Sequence, residues 1–204
     1  PRPPTLLCLG RLCPFKGFDI LLEAFAELDR PNFDFRCQIL GDGPLCEKLE
    51  AIIADLKLQD RVELCGALSQ TQVFSRLQSC DIFALASVVD AAGASDVFPT
   101  VIMEAMACAR PVVSTQLAGI PESVVDGVTG LLVPPGDWAA FSAGLDRLVR
   151  DSALRTRLGR AGRAPMQQAL SRLQTVAPLH HLFAPHPAPS PQQQQNPDSA
   201  PADD

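Results

Sequence analysis

Short apolar runs alternate with longer amphipathic stretches through most of the sequence. Six runs of four to six residues are mostly apolar, which is typical of strands buried on both faces of a sheet. Turn-forming residues end several of them, as Gly41-Asp42-Gly43-Pro44 and Pro134-Pro135-Gly136 do. The predicted strands are residues 5–9, 35–40, 62–65, 81–85, 111–114 and 130–133.

The stretches between the predicted strands place apolar residues at helical spacing. Phe18, Leu22 and Phe25 show this in the first stretch. Ser69 and Asp137 are predicted N-caps, because their side-chain oxygens suit the free N–H groups of a first helical turn. The predicted helices cover residues 17–28, 45–58, 69–79, 99–107, 137–150, 153–163 and 166–183.

Regular alternation of strand and helix predicts a doubly wound α/β domain with a parallel, Rossmann-like sheet of about six strands. Such sheets bind ligands at the carboxyl ends of their strands. We therefore expect one nucleotide-binding domain over residues 1–183, with its chemistry in the loops that follow the strands. Residues 184–204 are rich in Pro and Gln and almost free of apolar side chains, which predicts a disordered tail.

Charge and hydropathy exclude several classes of function. The formal net charge of -6 argues against a general nucleic-acid binder. The sequence shows no apolar run long enough to cross a bilayer and no signal-peptide pattern. It also starts without Met and almost directly on a strand, as a piece cut at a linker would. We expect a cytoplasmic location, with peripheral association at the inner face of the membrane for a full-length parent.

The seven cysteines form no Cys-x-x-Cys pair, and the three histidines lie far downstream of them. This spacing argues against a zinc site. Several cysteines fall inside apolar runs, so we expect buried, reduced thiols that act as small hydrophobic side chains.

Two cations lie in the loop after the first strand, at the mouth of the first helix. Gly10-Arg11 and Lys16-Gly17 combine positive charge with a helix amino end, which suits a diphosphate. The alternative is a pair of solvated surface charges. The Walker pattern GxxxxGK[ST] is absent, so this loop is not a P-loop.

A second candidate site is the segment from Asp96 to Glu104, in which seven residues separate two carboxylates. Pro99 suits the first turn of a helix there, and that turn offers free N–H groups to a phosphate. Asp96 could reach sugar hydroxyls, and Glu104 could accept two hydrogen bonds from a ribose. The alternative makes Asp96 a loop or cap residue and Glu104 an exposed helix carboxylate.

The glycine-containing loops after the second and third strands allow close approach of backbone to a ligand, at Gly41 and Gly66. Taken alone, both segments are ordinary turns. The runs at residues 118–122 and 126–130 are interpreted as structural turns.

Together these segments resemble, in order, the carboxyl-terminal domain of the family 4 glycosyltransferases, which have the GT-B fold. The resemblance covers residues 5–183 and is specific as a series. It rests on Leu9-Gly10-Arg11-Leu12, Lys16-Gly17-Phe18-Asp19, Leu40-Gly41-Asp42-Gly43-Pro44, Asp60-Arg61-Val62 with Gly66, Asp81-Ile82-Phe83, Phe98-Pro99-Thr100-Val101-Ile102-Met103-Glu104-Ala105-Met106-Ala107, Pro111-Val112-Val113-Ser114-Thr115, Gly119-Ile120-Pro121-Glu122 and Asp126-Gly127-Val128-Thr129-Gly130-Leu131-Leu132-Val133-Pro134.

The resemblance implies a role for each matched residue. Arg11 and Lys16 would bind the donor diphosphate, and Glu104 the ribose hydroxyls. Asp96 occupies the first position of the family's Glu-x7-Glu motif, where it would contact the donor sugar; it is one methylene shorter than the usual Glu. Further donor contacts would come from Gly10, Gly41, Gly66, Leu68, Val97, Phe98, Pro99, Thr100 and Val101.

The implied function is retaining transfer of a hexosyl group from a UDP- or GDP-linked sugar to a polysaccharide, lipopolysaccharide or glycolipid. No cofactor or metal is expected, and the expected partner is a missing amino-terminal acceptor domain. In the family, that domain often supplies a histidine near the reacting sugar. His180, His181 and His186 fall on the last predicted helix and the tail, so none of them matches that role. Two alternatives stay open: a nucleotide-sugar-binding module without turnover, and a GT-B nucleotide-sugar epimerase.

Overall fold

A computed structural model describes residues 2–28 and 33–169 of the chain. Its centre is a six-stranded sheet, all parallel, in the order β3-β2-β1-β4-β5-β6. Each predicted strand is present, with bounds within one residue of those predicted. The strands are β1 (Thr5–Leu9), β2 (Arg36–Leu40), β3 (Val62–Leu64), β4 (Ile82–Leu85), β5 (Val112–Thr115) and β6 (Leu131–Val133).

Helices cover both faces of the sheet, which confirms the predicted doubly wound α/β fold. The helices are α1 (Phe18–Leu28), α2 (Cys46–Asp55), α3 (Gln70–Ser79), α4 (Thr100–Ala107), α5 (Ile120–Ser123), α6 (Trp138–Arg150) and α7 (Ser152–Ala169). A 3-10 turn at Pro14–Lys16 precedes α1.

Alternation along the strands divides the core into two layers. Leu6 and Cys8 of β1 pack with α1, α2 and α6 on one face, whereas Leu7 packs with α3, α4 and α5 on the other. All four residues of β4 are buried, as expected for a central strand covered on both sides. Removal of this apolar surface from water, at roughly 25 cal/mol per Å², holds the layers together.

Both predicted helix caps are confirmed. The Ser69 hydroxyl accepts from the Gln72 N–H, while the Gln72 side chain accepts from the Ser69 N–H, a reciprocal capping box. Asp137 accepts a hydrogen bond of 2.8 Å from the Ala140 N–H at the start of α6.

Helix α2 is shorter than predicted, since it ends at Asp55 and not at residue 58. Lys57 adopts a left-handed backbone with φ of 58°, and the Leu58 N–H returns to the Ile53 carbonyl. Leu58 then folds back into the core, where it is fully buried. Leu58 fits the helical spacing of apolar residues because it packs in the core beneath α2, although it lies outside the helix.

Helix α7 runs unbroken where two helices, 153–163 and 166–183, were predicted. Pro165 lies inside it, although proline removes a helical hydrogen bond and usually breaks a helix. Tertiary packing outweighs this cost: Met166 is buried in the second core layer, and Gly162 lies against the Thr129 carbonyl and Met106. Residues 170–183, the histidines and the tail predicted at 184–204 lie outside the described residues.

All seven cysteines are free thiols, four buried and three half-buried. Burial raises the pKa of the Cys80 thiol to about 12, although the nearby charge of Arg110 acts in the opposite direction. The reactive thiolate is therefore strongly disfavoured there, in keeping with the predicted structural role. None of the described helices is both long and apolar enough to span a membrane.

Candidate functional site at the carboxyl edge of the sheet

Backbone hydrogen bonds join the loops that follow β1, β2 and β3. The Gly10 N–H donates to the Leu40 carbonyl at 3.0 Å, and the Gly41 N–H donates to Gly66 at 2.9 Å. Gly41 has φ of 141°, and a Cβ there would lie only 1.9 Å from the Gly10 carbonyl oxygen. Gly10, Gly41 and Gly66 thus lie together at this edge of the sheet.

The loop after β1 is also locked onto the segment after β4. Gly17 adopts φ of 64°, and a Cβ there would lie 1.9 Å from the Ala86 carbonyl oxygen. The Val88 N–H donates to the Phe15 carbonyl at 2.9 Å. Strand order reverses between β1 and β4, so this junction is the topological switch point where open α/β sheets bind ligands.

An ion pair crosses this switch point between Lys16 and Asp96, which are 80 positions apart in sequence. Their side chains are only 12% and 16% exposed, so the pair is partly shielded from water. The lysine stem lies over Gly10, where a Cβ would come within 3.3 Å of the Lys16 Cε. The two residues selected from separate sequence motifs therefore meet directly.

Arg11 adds a second positive charge to the same loop. Its side chain is exposed and has no hydrogen-bond or ion-pair partner among the described residues. Burial raises the pKa of the neighbouring Cys13 thiol, while the charges of Lys16 and Arg11 lower it. The charges of Asp96 and Asp90 raise the pKa of the same thiol, so two cations and two carboxylates share one small region.

Helix α4 begins at the same edge. Pro99 is buried and precedes the helix, so the first-turn N–H groups of Thr100 and Val101 have no acceptor within it. They and the helix dipole add to the attraction for an anion. The Gly119 N–H donates to the Val97 carbonyl at 2.9 Å, which fixes the entry to α4.

Glu104 lies in the second turn of α4, about 6 Å along the helix axis from Thr100. It is exposed and has no hydrogen-bond or ion-pair partner in the described part of the chain. Its carboxylate is therefore open to a ligand. Residues four apart share a helix face, so a group bound at the amino end of α4 extends toward Glu104.

The predicted apolar contacts differ in exposure. Val97 is 68% exposed and Phe98 44% exposed, so both side chains are accessible beside Asp96. Leu68 is instead half-buried against the second core layer, so only part of its surface faces the edge. Exposed and half-buried apolar side chains therefore both occur at this edge.

Two polar residues at this edge were not predicted. The Ser87 hydroxyl is fully buried directly after β4 and has no hydrogen-bond partner within the described residues. Asp90 accepts from the N–H groups of Ala92 and Ala94, both at 2.9 Å, and so shapes the loop that carries Asp96. The available signal was for Asp90, which lies three residues before Gly93 in a turn-forming segment.

A cavity of about 510 Å³ lies elsewhere, at the amino ends of β1, β2 and β3. Arginines 2, 36, 61 and 76 line it, but Asp60 and Glu63 line it too, and Arg2 and Arg61 pair with Asp81 and Asp34. Because carboxylates line the cavity beside these arginines, we place the candidate site at the carboxyl edge of the sheet and not in this cavity. Among the described residues, no group of three or more His, Cys, Asp or Glu side chains is placed to hold a metal ion.

Comparisons with known proteins bear on this arrangement. The family model described as Glycosyl transferases group 1 matches residues 1–164. The amylovoran biosynthesis glycosyltransferase AmsK of Erwinia amylovora is 38% identical over 152 residues, 74% of this chain and 37% of that protein. The GDP-mannose-dependent alpha-(1-6)-phosphatidylinositol monomannoside mannosyltransferase of Mycolicibacterium smegmatis is 34% identical over 161 residues, 78% of this chain and 42% of that protein.

A solved structure gives the same fold. Anabaena Alr3699/HepE, determined in complex with UDP and glucose, matches with a TM-score of 0.77 and 25% identity, over 89% of this chain and 49% of that one. The chain spans less than half the length of each of these three proteins.

Proposed function

The chain belongs to the glycosyl transferases group 1 family, and on that premise we propose that it is the donor-binding, carboxyl-terminal domain of a retaining glycosyltransferase of family 4. It would hold a nucleotide sugar from which a hexosyl group is transferred. The observation that carries this proposal is the Lys16–Asp96 pair at the switch point, flanked by Arg11 and the amino end of α4.

In this proposal Arg11, Lys16 and the N–H groups of Thr100 and Val101 bind the donor diphosphate. Negative charge grows on the leaving diphosphate as the glycosidic bond breaks, and fixed cations stabilise it. Two placed cations supply the neutralisation that a metal provides elsewhere, so the proposed site needs no metal or cofactor.

The two carboxylates take the hydroxyl-bearing parts of the donor. Asp96 would accept hydrogen bonds from the donor sugar and support the developing oxocarbenium, and Glu104 would accept from both ribose hydroxyls. The leaving phosphate would take the acceptor proton on the same face of the sugar, which retains the anomeric configuration.

The donor and acceptor classes are proposed from the relatives. One relative is named for GDP-mannose, and HepE was solved with UDP, so a UDP- or GDP-linked hexose is the proposed donor. Amylovoran and phosphatidylinositol mannoside in the relatives' names favour a polysaccharide, lipopolysaccharide or glycolipid acceptor. An amino-terminal domain would bind that acceptor, in a cytoplasmic enzyme peripheral to the membrane.

Substitution of the two cations tests the proposed diphosphate clamp. After a thermal-shift screen with UDP, GDP and ADP sugars selects the donor, we expect Arg11→Ala and Lys16→Ala each to weaken binding of the nucleoside diphosphate by roughly tenfold or more. Binding of the corresponding nucleoside, which lacks phosphate, should change little. Calorimetry measures both affinities, and equal losses for nucleoside and diphosphate would contradict the clamp.

A second candidate is a nucleotide-sugar-binding module with no turnover of its own. The region that this chain shares with the matched relatives is less than half of each of them, so turnover by this region alone is tested separately. Transfer assays with the chain alone, and with an amino-terminal half of a relative added in trans, separate the two functions. Transfer by the chain alone would rule out the second candidate.

A further inference from the structure

The Lys16–Asp96 ion pair joins two groups that face different parts of the proposed donor. Lys16 belongs to the proposed diphosphate side and Asp96 to the proposed sugar side, yet the two side chains form an ion pair with each other. Both side chains are more than four-fifths shielded from water. A ligand that engages either group must therefore compete with this pair.

The backbone holds both residues in place. Gly17 lies against the Ala86 carbonyl, the Val88 N–H donates to the Phe15 carbonyl, and the Val97 carbonyl accepts from the Gly119 N–H. We therefore expect the pair to open by rotation of the two side chains. When it opens, a partly desolvated charge is left behind unless the ligand supplies a new partner.

A free nucleoside diphosphate and a sugar nucleotide differ in what they supply. The diphosphate offers an anion to Lys16 but leaves Asp96 without a partner and beside a second negative charge. The sugar nucleotide offers the same anion together with hydroxyl donors for Asp96. Only the sugar-bearing ligand satisfies both members of the pair.

Resting on the proposed function, we infer that the Lys16–Asp96 pair makes this site select sugar nucleotides over free nucleoside diphosphates. The pair opens for a donor and re-forms after transfer, when the sugar is gone. Re-formation competes with the product diphosphate for Lys16 and so promotes its release.

Asp96→Asn tests this selection, because it removes the charge and retains the shape and an acceptor oxygen. Calorimetric titrations of the full chain compare UDP with UDP-glucose, and GDP with GDP-mannose. The ligand pair that binds to the wild-type chain is then titrated into the variants. We expect the variant to bind the free diphosphate roughly three- to tenfold more tightly than wild type. Its preference for the sugar nucleotide should fall by about tenfold.

Two control variants identify the cause. Asp96→Glu retains a carboxylate and should keep the preference for the sugar nucleotide. Glu122→Gln removes one negative charge from α5, which follows β5 at the same edge of the sheet. If the Lys16–Asp96 pair causes the selection, and not the net charge, this variant should bind the free diphosphate and the sugar nucleotide as wild type does. Thermal unfolding of each variant checks that it is folded.

The outcomes separate this inference from the proposed function. If wild type binds neither ligand pair, the proposed function is wrong. If wild type binds but Asp96→Asn does not bind the free diphosphate more tightly, the selection mechanism is wrong while the proposed function stands. Tighter binding in Glu122→Gln as well would also overturn the mechanism, because it would show a general effect of charge.

Discussion

Individual residues at the carboxyl edge were predictable by type and spacing, but their contacts were not. The glycines beside Arg11 and Lys16 indicated a loop that binds an anion. The carboxylates of Asp96 and Glu104, on either side of a predicted helix start, indicated acceptors for ligand hydroxyls. The direct pairing of Lys16 with Asp96 could not be predicted, because it joins loops on adjacent strands that are far apart in sequence. Ser87 was missed because one buried hydroxyl leaves no spacing pattern.

Glu104 gives a prediction at the residue scale. Glu104→Ala should weaken nucleotide binding by about 1–3 kcal/mol, because it removes charge-assisted hydrogen bonds to the ribose. The free energy of unfolding should change by less than about 0.5 kcal/mol, since the side chain is exposed and unpartnered among the described residues. Calorimetry and chemical denaturation measure the two effects.

Glu47→Ala is the matched control for this prediction, because Glu47 is an exposed carboxylate in the first turn of α2. Its removal should leave nucleotide affinity unchanged. Wild-type affinity in Glu104→Ala, or an equal loss in Glu47→Ala, would refute the ribose-binding role.

At the scale of elements, apolar patterns predicted the strands to within one residue, because a central parallel strand is buried on both faces. Helix ends were less predictable. The end of α2 depends on Leu58 packing back beneath the helix, and the course of α7 through Pro165 depends on Met166 and Gly162. Helix α5 was interpreted as a turn because its four residues are too few to show periodicity. The end of α2 and the course of α7 are decided by tertiary contacts that local sequence does not encode.

The junction between the loop after β1 and the segment after β4 gives a prediction at this scale. Gly17→Ala should destabilise the chain by about 4 kcal/mol or more, because the new methyl group would overlap the Ala86 carbonyl at a left-handed backbone position. Gly127→Ala is the matched control, with φ of 70° and open space around its Cβ position. It should cost only about 1–2 kcal/mol. Equal losses in chemical denaturation would contradict a tight junction.

For the whole molecule, strand order explains why the candidate site lies where it does. The strand order reverses between β1 and β4, and the loops after these two parallel strands carry the Lys16–Asp96 pair. The sequence predicted the sheet, but the order of strands that creates the switch point comes from the fold.

A crystal structure of the chain with its selected nucleotide sugar tests the central proposal most directly. Two regions carry cations that could bind a diphosphate: the carboxyl edge of the sheet, and the cavity at the amino ends of β1, β2 and β3. We expect the diphosphate within hydrogen-bond distance of the Lys16 Nζ and of the N–H groups of Thr100 and Val101. Asp96 should contact the sugar hydroxyls. A nucleotide bound instead in the arginine-lined cavity at the amino ends of β1, β2 and β3 would contradict the assignment of the site.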